Sequence, residues 1–333
     1  MIRILTLFSG IGAPEKALKN VVGDECVEIV DAVEFDKFAM NSYNAIHHTN
    51  FPTQDVSKWH KSVGDIDILV GGSPCQDFSV AGLHQGGDEG SGTRSSLMYE
   101  QVRIITEVRP KVAIWENVKN VLGKGNRHNF EKYLKYLEEI GYTNYYQVLN
   151  ASDYGIPQSR ERIFIVSIRK DVDKGTFKFP SPITLEKFLG DYMISDEKDI
   201  PEEYWLSPEK ISRIANWNCY EKPFKRVYGK HSVCGTITTR SGAECGGMKV
   251  YCGDLDNTHD IHQMILMMGK LLPFANLRKF MPIEMFRLMG FSDEDYYNAE
   301  RVNSKAQLYK QAGNSICVPV LEAIFKELIG SVR

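Results

Sequence analysis

The first half of the chain alternates short apolar runs with longer segments in which apolar residues recur every three or four positions. Short apolar runs are typical of buried strands, and the longer periodic segments are typical of helices. Their alternation predicts a parallel sheet with crossover helices. The predicted strands are Arg3–Phe8, Cys26–Val33, Ile66–Val70, Val112–Trp115, Tyr145–Leu149 and Arg162–Ile168, and the predicted helices are Pro14–Val21, Lys37–His47, Leu97–Val108, Phe130–Ile140 and Val318–Ile329.

The pattern changes after Lys170. Two prolines, Pro180 and Pro182, indicate a linker, and no strand–helix alternation follows as far as Leu272. The last predicted helix has one apolar face and needs a partner surface, for which the large domain is the simplest candidate. We therefore expect a large domain formed by residues 1–185 and completed by residues 305–333, with a smaller domain at residues 186–304.

Bulk charge does not indicate a partner, because the net charge of the 333 residues is −3, with 43% hydrophobic and 25% charged residues. Between Trp205 and Val250, however, eight basic residues stand against three acidic ones. This local excess fits either a solvated basic face or a surface that meets phosphates. The basic residues are Lys210, Arg213, Lys222, Lys225, Arg226, Lys230, Arg240 and Lys249.

The seven cysteines form no regular framework and include no Cys-x-x-Cys pair. An odd number of cysteines in a chain of this length suits a reducing compartment, and we predict no metal site. The opening apolar run lacks the features of an export signal. No apolar stretch approaches the ~20 residues of a membrane span. We expect a cytoplasmic protein that does not bind a membrane.

The segment from Phe8 to Gly12 follows the first predicted strand and carries glycines at positions 10 and 12. Glycines there let a ligand approach the backbone of a helix N-terminus. Glu34 ends the second predicted strand, where a carboxylate can bond ribose hydroxyls. Glu15 stands where a dinucleotide-binding motif would have its third glycine. The pattern predicts an adenosyl ligand without phosphates, although a simple tight turn would also explain the glycines.

Cys75 follows the predicted strand Ile66–Val70, at the edge of the sheet where doubly wound folds bind ligands. Pro74 restricts the backbone immediately before it. The residues from Cys75 to Arg94 are rich in glycine and serine, which predicts a mobile active-site loop. An inert structural cysteine is the alternative interpretation.

Polar residues also follow two further predicted strands. Glu116 comes directly after Val112–Trp115, where it could act as a general acid or cap the next helix. Arg160 and Arg162 enter the last strand two residues apart, which predicts both guanidinium groups on one face. Such a pair suits an anionic or carbonyl-bearing substrate, and surface salt bridges are the alternative.

Taken in order, these segments resemble the C5-cytosine DNA methyltransferases from Phe8 to Val320. Pro74-Cys75-Gln76 with Phe78-Ser79 resembles the nucleophile motif of that family. The run from Arg278 to Phe291 resembles its ninth motif, with Phe280 where leucine is common. Gln311–Ser315 resembles its last motif. Thr236 and Thr238 resemble the threonines of its recognition domain, and threonine-rich strands are also common elsewhere.

The resemblance implies a doubly wound, Rossmann-like α/β domain that binds S-adenosylmethionine, with a smaller target-recognition domain. It makes residues 1–185 with 305–333 the catalytic and cofactor-binding domain, and residues 186–304 the target-recognition domain. The implied catalytic residues are Cys75, Glu116, Arg160 and Arg162. The implied cofactor-binding residues are Phe8, Gly10, Gly12, Glu34, Phe35, Asp55, Pro74, Leu97, Asn314 and Ser315. The implied DNA-binding residues are Gln76, Ser79, Arg94, Thr236, Thr238 and Arg240.

The resemblance further implies a reaction that solves a chemical problem, because C5 of cytosine is a poor nucleophile. Attack of the Cys75 thiolate on C6 would make C5 nucleophilic, with Glu116 protonating N3 and Arg162 polarising O2. The target cytosine would have to be flipped out of the duplex. The expected partner is double-stranded DNA. Whether a restriction endonuclease acts on the same site is left open by the sequence. A monomer in the cytoplasm of a bacterial cell or phage-infected host is expected.

Three other functions compete with this interpretation. A tRNA cytosine methyltransferase on the same scaffold is the nearest, but Asp77 and Ser79 replace the proline and threonine typical of that subgroup. A nicotinamide oxidoreductase would leave Glu15, Cys75 and the two arginines unexplained. A catalytically inactive DNA-binding protein would not need the complete catalytic set.

Overall fold

The computed structural model of the chain describes residues 1–61, 64–74, 97–215, 226–243, 247–253 and 276–332, with the backbone alone at 212–215. The chain divides into two compact units. The first comprises Met1–Asn150, Glu161–Pro182 and Ile316–Arg333, and the second comprises Ala151–Arg160 and Ile183–Ser315.

The first unit is built on a sheet of six strands in the order β2-β1-β3-β4-β7-β5. The strands are β1 (Ile2–Leu7), β2 (Val27–Val33), β3 (Ile68–Gly71), β4 (Val112–Val118), β5 (Tyr142–Asn150) and β7 (Glu161–Arg169). The first four run parallel to one another. The carboxyl ends of β1, β3 and β4 therefore meet at one edge of the sheet, where doubly wound folds bind their ligands.

The last two strands differ from the all-parallel sheet that the sequence pattern predicts. Strand β7 is antiparallel to both β4 and β5, so the sheet is mixed. A parallel connection needs a crossover of a dozen or more residues, and only ten residues separate β5 from β7. The prediction of a parallel sheet was therefore wrong at this edge.

Helices cover the sheet of the first unit. They are α1 (Ala13–Val22), α2 (Lys37–His47), α3 (Met98–Val108), α4 (Arg127–Glu139) and, at the end of the chain, α9 (Val318–Val332). Helices α3 and α4 bury Ile104, Ile105 and Tyr133 in one apolar core with Leu69 and Trp115 of the strands. Helix α1 packs against α9, as the apolar face of the last helix predicts.

The ends of α2 follow directly from the sequence. The side chain of Asp36 accepts a hydrogen bond from the backbone N–H of Phe38 at 2.9 Å, which caps the first turn. His48 takes a left-handed conformation after the last turn and ends the helix. The structure has the same bounds for this helix as the sequence prediction.

The second unit contains short strands and helices. Its strands are β6 (Gln158–Ser159), β8 (Val227–Tyr228), β9 (Cys234–Gly235), β10 (Lys249–Tyr251) and β11 (Leu277–Lys279), and its helices are α5 (Pro208–Ala215), α6 (Pro282–Arg287), α7 (Asp293–Glu300) and α8 (Lys305–Asn314). Strand β6 pairs with β9, and β10 lies between β11 and β8. The guanidinium of Arg278 and the carboxylate of Glu284 form a fully buried pair with bonds of 2.9 and 2.7 Å.

The bounds of the two units differ from the predicted domain bounds in three places. Residues 151–160, 183–185 and 305–315 belong to the second unit, whereas all three segments were predicted to lie in the large domain. Helix α8 packs against α6 and α7, which explains its place in the second unit. Among the described residues, no helix is long and apolar enough to cross a membrane.

Candidate functional site

The segment between β1 and α1 has an unusual backbone. Phe8, Gly10 and Gly12 all have positive φ angles of 55°, 57° and 82°. Glycine adopts this conformation readily, but an aromatic residue does so only at a cost. A Cβ atom at Gly12 would come within 1.9 Å of the buried His47 side chain. The segment is therefore held in one specific shape, as a ligand-binding loop requires.

Glu34 fixes this loop against the end of β2. Its carboxylate accepts the backbone N–H of Gly10 at 2.9 Å and that of Asp36 at 2.8 Å. Burial raises the pKa of Glu34, and the two backbone hydrogen bonds oppose that shift. The neighbouring Phe35 ring is 77% exposed, an unusual amount for an aromatic side chain. The pair offers a carboxylate and an open aromatic face side by side.

Asp55 is held near Glu34 by the backbone. The N–H of Gln54 donates to the carbonyl of Glu34 at 2.8 Å. The Asp55 carboxylate accepts the backbone N–H and the hydroxyl of Ser57 at 3.0 and 2.7 Å, and these bonds lower its pKa. Asp55 is therefore ionised at neutral pH and can accept a hydrogen bond from an amino group.

Glu15 lies beneath the loop. The side chain is fully buried, and its Oε1 accepts hydrogen bonds from the hydroxyls of Thr6 and Tyr43 at 2.5 and 2.8 Å. Burial raises the pKa of this carboxyl. Glu15 stands in the sequence where a dinucleotide-binding motif would have its third glycine, but its side chain is buried in the interior and does not face a ligand in the loop. Its physical role is to connect α1 to β1 and α2.

The residues around this loop fit S-adenosylmethionine. The predicted cofactor residues of the first unit combine carboxylates at Glu34 and Asp55 with the exposed ring of Phe35, and they include no lysine or arginine. This donor set suits ribose hydroxyls, an adenine ring and a positively charged ligand, whereas phosphates would be repelled. Pro74 and Leu97 are half-buried, and Leu97 packs against the core that holds α3.

Glu116 and Arg162 form an ion pair at the same edge of the sheet. Glu116 lies inside β4, not after it as predicted, and Arg162 lies near the start of the antiparallel β7. The register pairs Glu116 with Phe164 and Val118 with Arg162, so the two charged residues are diagonal neighbours on one face. Arg162 Nε lies 3.1 Å from Glu116 Oε1, and both side chains are largely buried.

The residues on either side of Glu116 anchor the segment that leads to Cys75. Trp115 Nε1 and the side-chain amide of Asn117 both donate to Ser73 Oγ, at 3.1 and 3.2 Å. The Asn117 amide also donates to the Ser73 carbonyl at 3.0 Å. A Cβ at Gly72 would lie 3.3 Å from Glu116 Oε2. The carboxyl group of Glu116 therefore lies against the end of β3, two residues before Pro74.

Four of the predicted residues, Cys75, Gln76, Ser79 and Arg94, lie outside the described residues, as does the glycine-rich segment that we expected to be a mobile loop. The anchoring roles of Ser73, Trp115 and Asn117 were missed by the sequence analysis. The sequence did offer one signal for these roles, because the three residues are immediate neighbours of Pro74 and Glu116, which were predicted site residues.

Arg160 lies between β6 and β7 and belongs to the second unit. The prediction that it shares one strand face with Arg162 was wrong, because the strand is interrupted at Arg160. Its side chain is only 4% exposed, and its guanidinium donates to the backbone carbonyls of Ile237, Gly313 and Ser315. These bonds support a role in holding the backbone more than a role in contacting substrate.

The remaining predicted residues of the second unit lie around these carbonyls. The Thr236 hydroxyl donates to the Ser159 carbonyl at 2.7 Å, whereas Thr238 and Arg240 are exposed. Asn314 is the last residue of α8 and is exposed, and the following Ser315 is buried. The structure thus brings the predicted DNA-binding threonines and the predicted cofactor residues Asn314 and Ser315 into one region of the second unit.

Several of the basic residues between Trp205 and Val250 are bonded to other groups within the second unit. Lys249 is 4% exposed and donates to the carbonyls of Ala243 and Gly247, which excludes it as a phosphate contact in this conformation. Arg226 donates to the Thr236 carbonyl at 2.7 Å, and Lys230 pairs with Glu197. Arg240 is the exposed basic residue nearest to the threonine segment in sequence.

Comparison with known proteins identifies the family. A family model described as C-5 cytosine-specific DNA methylase matches residues 2–330. The chain is 37% identical to the type II methyltransferase M2.ScrFI of Lactococcus lactis subsp. cremoris, over 81% of this chain and 69% of that protein. It is 34% identical to the type II methyltransferase M.Bsp6I of Bacillus sp. (strain RFL6), over 100% of both. The solved structure of S. pombe Dnmt2 methyltransferase shares the fold, with a TM-score of 0.75 at 21% identity over 99% of this chain and 98% of that one.

The fold and the loop define a Rossmann-like methyltransferase that uses S-adenosylmethionine. The chain belongs to the C-5 cytosine-specific DNA methylase family. It is a DNA cytosine-5 methyltransferase, and the resemblance inferred from the sequence motifs is confirmed. These matches do not favour the tRNA alternative.

Proposed function

We propose that the enzyme methylates C5 of a flipped-out cytosine within a specific short duplex sequence, through a covalent bond between Cys75 and C6 of the ring. Glu116 protonates N3, and Arg162 polarises O2. Among the described residues, the pair formed by Glu116 and Arg162 carries this proposal.

The geometry of the pair matches one edge of cytosine. N3 and the exocyclic oxygen O2 are neighbouring atoms on one edge of the base, and Glu116 Oε1 and Arg162 Nε are 3.1 Å apart on one face of the sheet. Once Glu116 has taken up a proton from solvent, its carboxylic acid can donate that proton to N3, and a guanidinium N–H of Arg162 can donate to O2. The two groups can thus bind both atoms of one ring at once and draw charge from it as Cys75 attacks.

Attack of the thiolate on C6 makes C5 nucleophilic, since the ring then carries an enamine. S-adenosylmethionine supplies the electrophilic methyl group. As the C5–methyl bond forms, the sulfur–methyl bond would break and S-adenosylhomocysteine would leave. Loss of the C5 proton to solvent, elimination of the Cys75 thiolate and return of the N3 proton to Glu116 then restore the aromatic ring. The bonds of Trp115 and Asn117 to Ser73 support this role by fixing the backbone two residues before the nucleophile.

We assign cofactor binding in the first unit to Phe8, Gly10, Gly12, Glu34, Phe35, Asp55, Pro74 and Leu97, and in the second unit to Asn314 and Ser315. Glu34 would bond the ribose hydroxyls, Phe35 would face the adenine, and Asp55 would accept from its amino group. Residues Gln76, Ser79, Arg94, Thr236, Thr238 and Arg240 are assigned to DNA. The catalytic role lies in the first unit and target recognition in the second.

The biological setting is proposed from the relatives. M2.ScrFI and M.Bsp6I are named type II methyltransferases, so we propose that this enzyme protects a DNA site from a restriction endonuclease of the same specificity. We propose a monomer, because the reaction requires one active site, and a cytoplasmic location in a bacterial cell or phage-infected host.

The test is base-resolution methylation sequencing of DNA from a host that lacks cytosine methylation and expresses either the wild type or the variant Cys75→Ser. We expect methylated cytosines in one short context with the wild type and none with the variant, because a hydroxyl of much higher pKa cannot replace the thiolate. The half-exposed Cys26 provides the control, since Cys26→Ser should methylate as the wild type does.

Binding of S-adenosylhomocysteine to the purified Cys75→Ser variant, measured by calorimetry, shows whether it is folded. Methylation by that variant at the wild-type level would contradict the mechanism. Unmethylated DNA in the wild-type strain, with folded protein present, would contradict the proposed duplex substrate.

A further inference from the structure

One buried guanidinium joins two segments to which different ligands are assigned. Arg160 Nη1 donates to the Ile237 carbonyl at 2.8 Å, and Nη2 donates to the carbonyls of Ser315 and Gly313 at 2.6 and 3.3 Å. Ile237 lies between Thr236 and Thr238, which are assigned to DNA. Gly313 and Ser315 flank Asn314, which is assigned to the cofactor. All of these residues belong to the second unit.

The same two segments touch directly at Gly313. A Cβ atom there would lie 2.3 Å from both the Thr238 carbonyl carbon and the Thr239 nitrogen. These are backbone atoms, which cannot move aside as a flexible side chain could. The end of α8 therefore packs backbone to backbone against the threonine segment, independently of the hydrogen bonds of Arg160.

The segment that carries Arg160 is itself bonded to the threonine segment. Gln158 Oε1 accepts the Ile237 N–H at 3.0 Å, and the Ser159 carbonyl accepts the Thr236 hydroxyl at 2.7 Å. Strand β6 also pairs in register with β9, which ends one residue before Thr236. A shift of the threonine segment would therefore move Arg160, and with it the guanidinium N–H groups that donate to the carbonyls of Gly313 and Ser315.

We propose that Arg160 is a positioning residue that couples DNA binding to cofactor binding. It ties the backbone of Thr236–Thr238 to the backbone of Gly313–Ser315, so that the two segments move together. A ligand that orders either segment therefore orders the other. This inference rests on the proposed function, because it takes the threonines as DNA contacts and Asn314 and Ser315 as cofactor contacts.

Coupling of this kind is reciprocal. If the cofactor raises the affinity for DNA by some factor, DNA raises the affinity for the cofactor by the same factor. The role is specific to arginine, because its planar guanidinium donates to the carbonyls of both segments at once. The compact ammonium of lysine cannot reproduce this geometry. Replacing Arg160 by lysine should therefore reduce the coupling more than it reduces either affinity measured alone.

The experiment measures the Kd of a short duplex, built around the context found by methylation sequencing, with and without saturating S-adenosylhomocysteine. For the wild type we expect the product to tighten duplex binding by about fivefold or more, a usual size for coupling. In Arg160→Lys this factor should fall to about one or two. Arg127→Lys is the matched control, because Arg127 is an exposed residue paired with Glu131 in the first unit, and it should keep the wild-type factor.

A second measurement uses the wild type alone, so that it does not depend on the folding of a variant. Hydrogen exchange of the backbone amides is followed with and without S-adenosylhomocysteine, in the absence of DNA. The inference predicts slower exchange at Ile237 and Thr238 as well as at residues 313–315. A merely structural role of Arg160 would leave exchange at Ile237 and Thr238 unchanged.

The outcomes separate this inference from the proposed function. Wild-type methylation with an unchanged coupling factor in Arg160→Lys, or with no product-induced protection at Ile237 and Thr238, overturns the inference and leaves the proposed function standing. A wild type that neither binds nor methylates duplex DNA overturns both. A reduced factor in Arg160→Lys, a normal factor in Arg127→Lys and the predicted protection support the inference.

Discussion

Glu15, Arg160 and Lys249 carry charged groups, yet all three side chains are at most 4% exposed. Each is bonded inside the protein: Glu15 to two hydroxyls, and the two basic residues to backbone carbonyls. Burial of a charge is costly unless its hydrogen-bonding capacity is met. At the scale of single residues, a buried charged side chain that is bonded to the protein supports the structure of the site. An exposed one, such as Arg240, is available to contact a ligand.

Glu15 gives a prediction about pH. Burial raises its folded-state pKa, opposed by hydrogen bonds from Thr6 and Tyr43 and by the charge of Lys19. The folded state therefore holds the proton to higher pH than the unfolded state does. The contribution of Glu15 to the free energy of unfolding is greatest below the pKa of an unfolded glutamate, about 4.3. It decreases as the pH rises from there to the raised pKa of the folded state. Glu15→Gln removes this titration.

The measurement is the free energy of unfolding by chemical denaturation across this pH range. Relative to the wild type, Glu15→Gln should gain stability as pH rises, by about 1.4 kcal/mol for each unit of pKa elevation. The variant Glu131→Gln, which changes an exposed glutamate, serves as the control. A difference between wild type and Glu15→Gln that stays constant with pH would show that Glu15 does not titrate in this way.

At the scale of elements, the loop between β1 and α1 depends on two buried neighbours. Gly12→Ala places a methyl group at a φ of 82°, within 1.9 Å of His47 and 3.0 Å of Tyr43. We expect a loss of about 1–3 kcal/mol in the free energy of unfolding, from backbone strain and overpacking. Binding of S-adenosylhomocysteine, measured by calorimetry, should weaken as well.

The helical Gly330 offers the matched substitution, because a Cβ there meets no further heavy atom of the described residues within 4 Å. Gly330→Ala should stabilise the protein by about 0.5–1 kcal/mol, since alanine loses less backbone entropy in a helix. The free energy of unfolding should therefore fall in Gly12→Ala and rise in Gly330→Ala. Equal effects would mean that the packing at Gly12 is not what restricts it.

The comparison of sequence with structure shows which elements can be predicted. Helix α2 was predictable because Asp36 provides a local cap and the apolar spacing is regular. The direction of β7 was missed, although the short connection after β5 was a signal for an antiparallel strand. The partners of Arg160 could not be predicted from local patterns, because Ile237 and Ser315 lie 77 and 155 residues away along the chain.

At the scale of the whole molecule, a net charge of −3 has to be reconciled with a DNA substrate. Affinity for DNA depends on local cations that displace counterions from phosphates, not on net charge. Of the basic residues that the sequence analysis singled out, Lys249 is buried and Arg226 and Lys230 are bonded within the second unit. Among the members of this set whose burial the structure describes, Arg240 alone is exposed, since Lys210 is half-buried. Arg240 is therefore the best candidate for a phosphate contact in that part of the chain.

A phosphate contact at Arg240 has a measurable signature. Duplex affinity is measured over a range of salt concentrations, and Arg240→Gln should reduce the steepness of log K against log salt by about 0.9, the contribution of one released counterion. Affinity should fall similarly for duplexes with and without the recognition sequence, because phosphates carry no sequence information. Arg127→Gln in the first unit should leave the slope unchanged. An unchanged slope in Arg240→Gln would remove this residue from the DNA interface, whereas a loss confined to the recognition sequence would mean that Arg240 contacts a base.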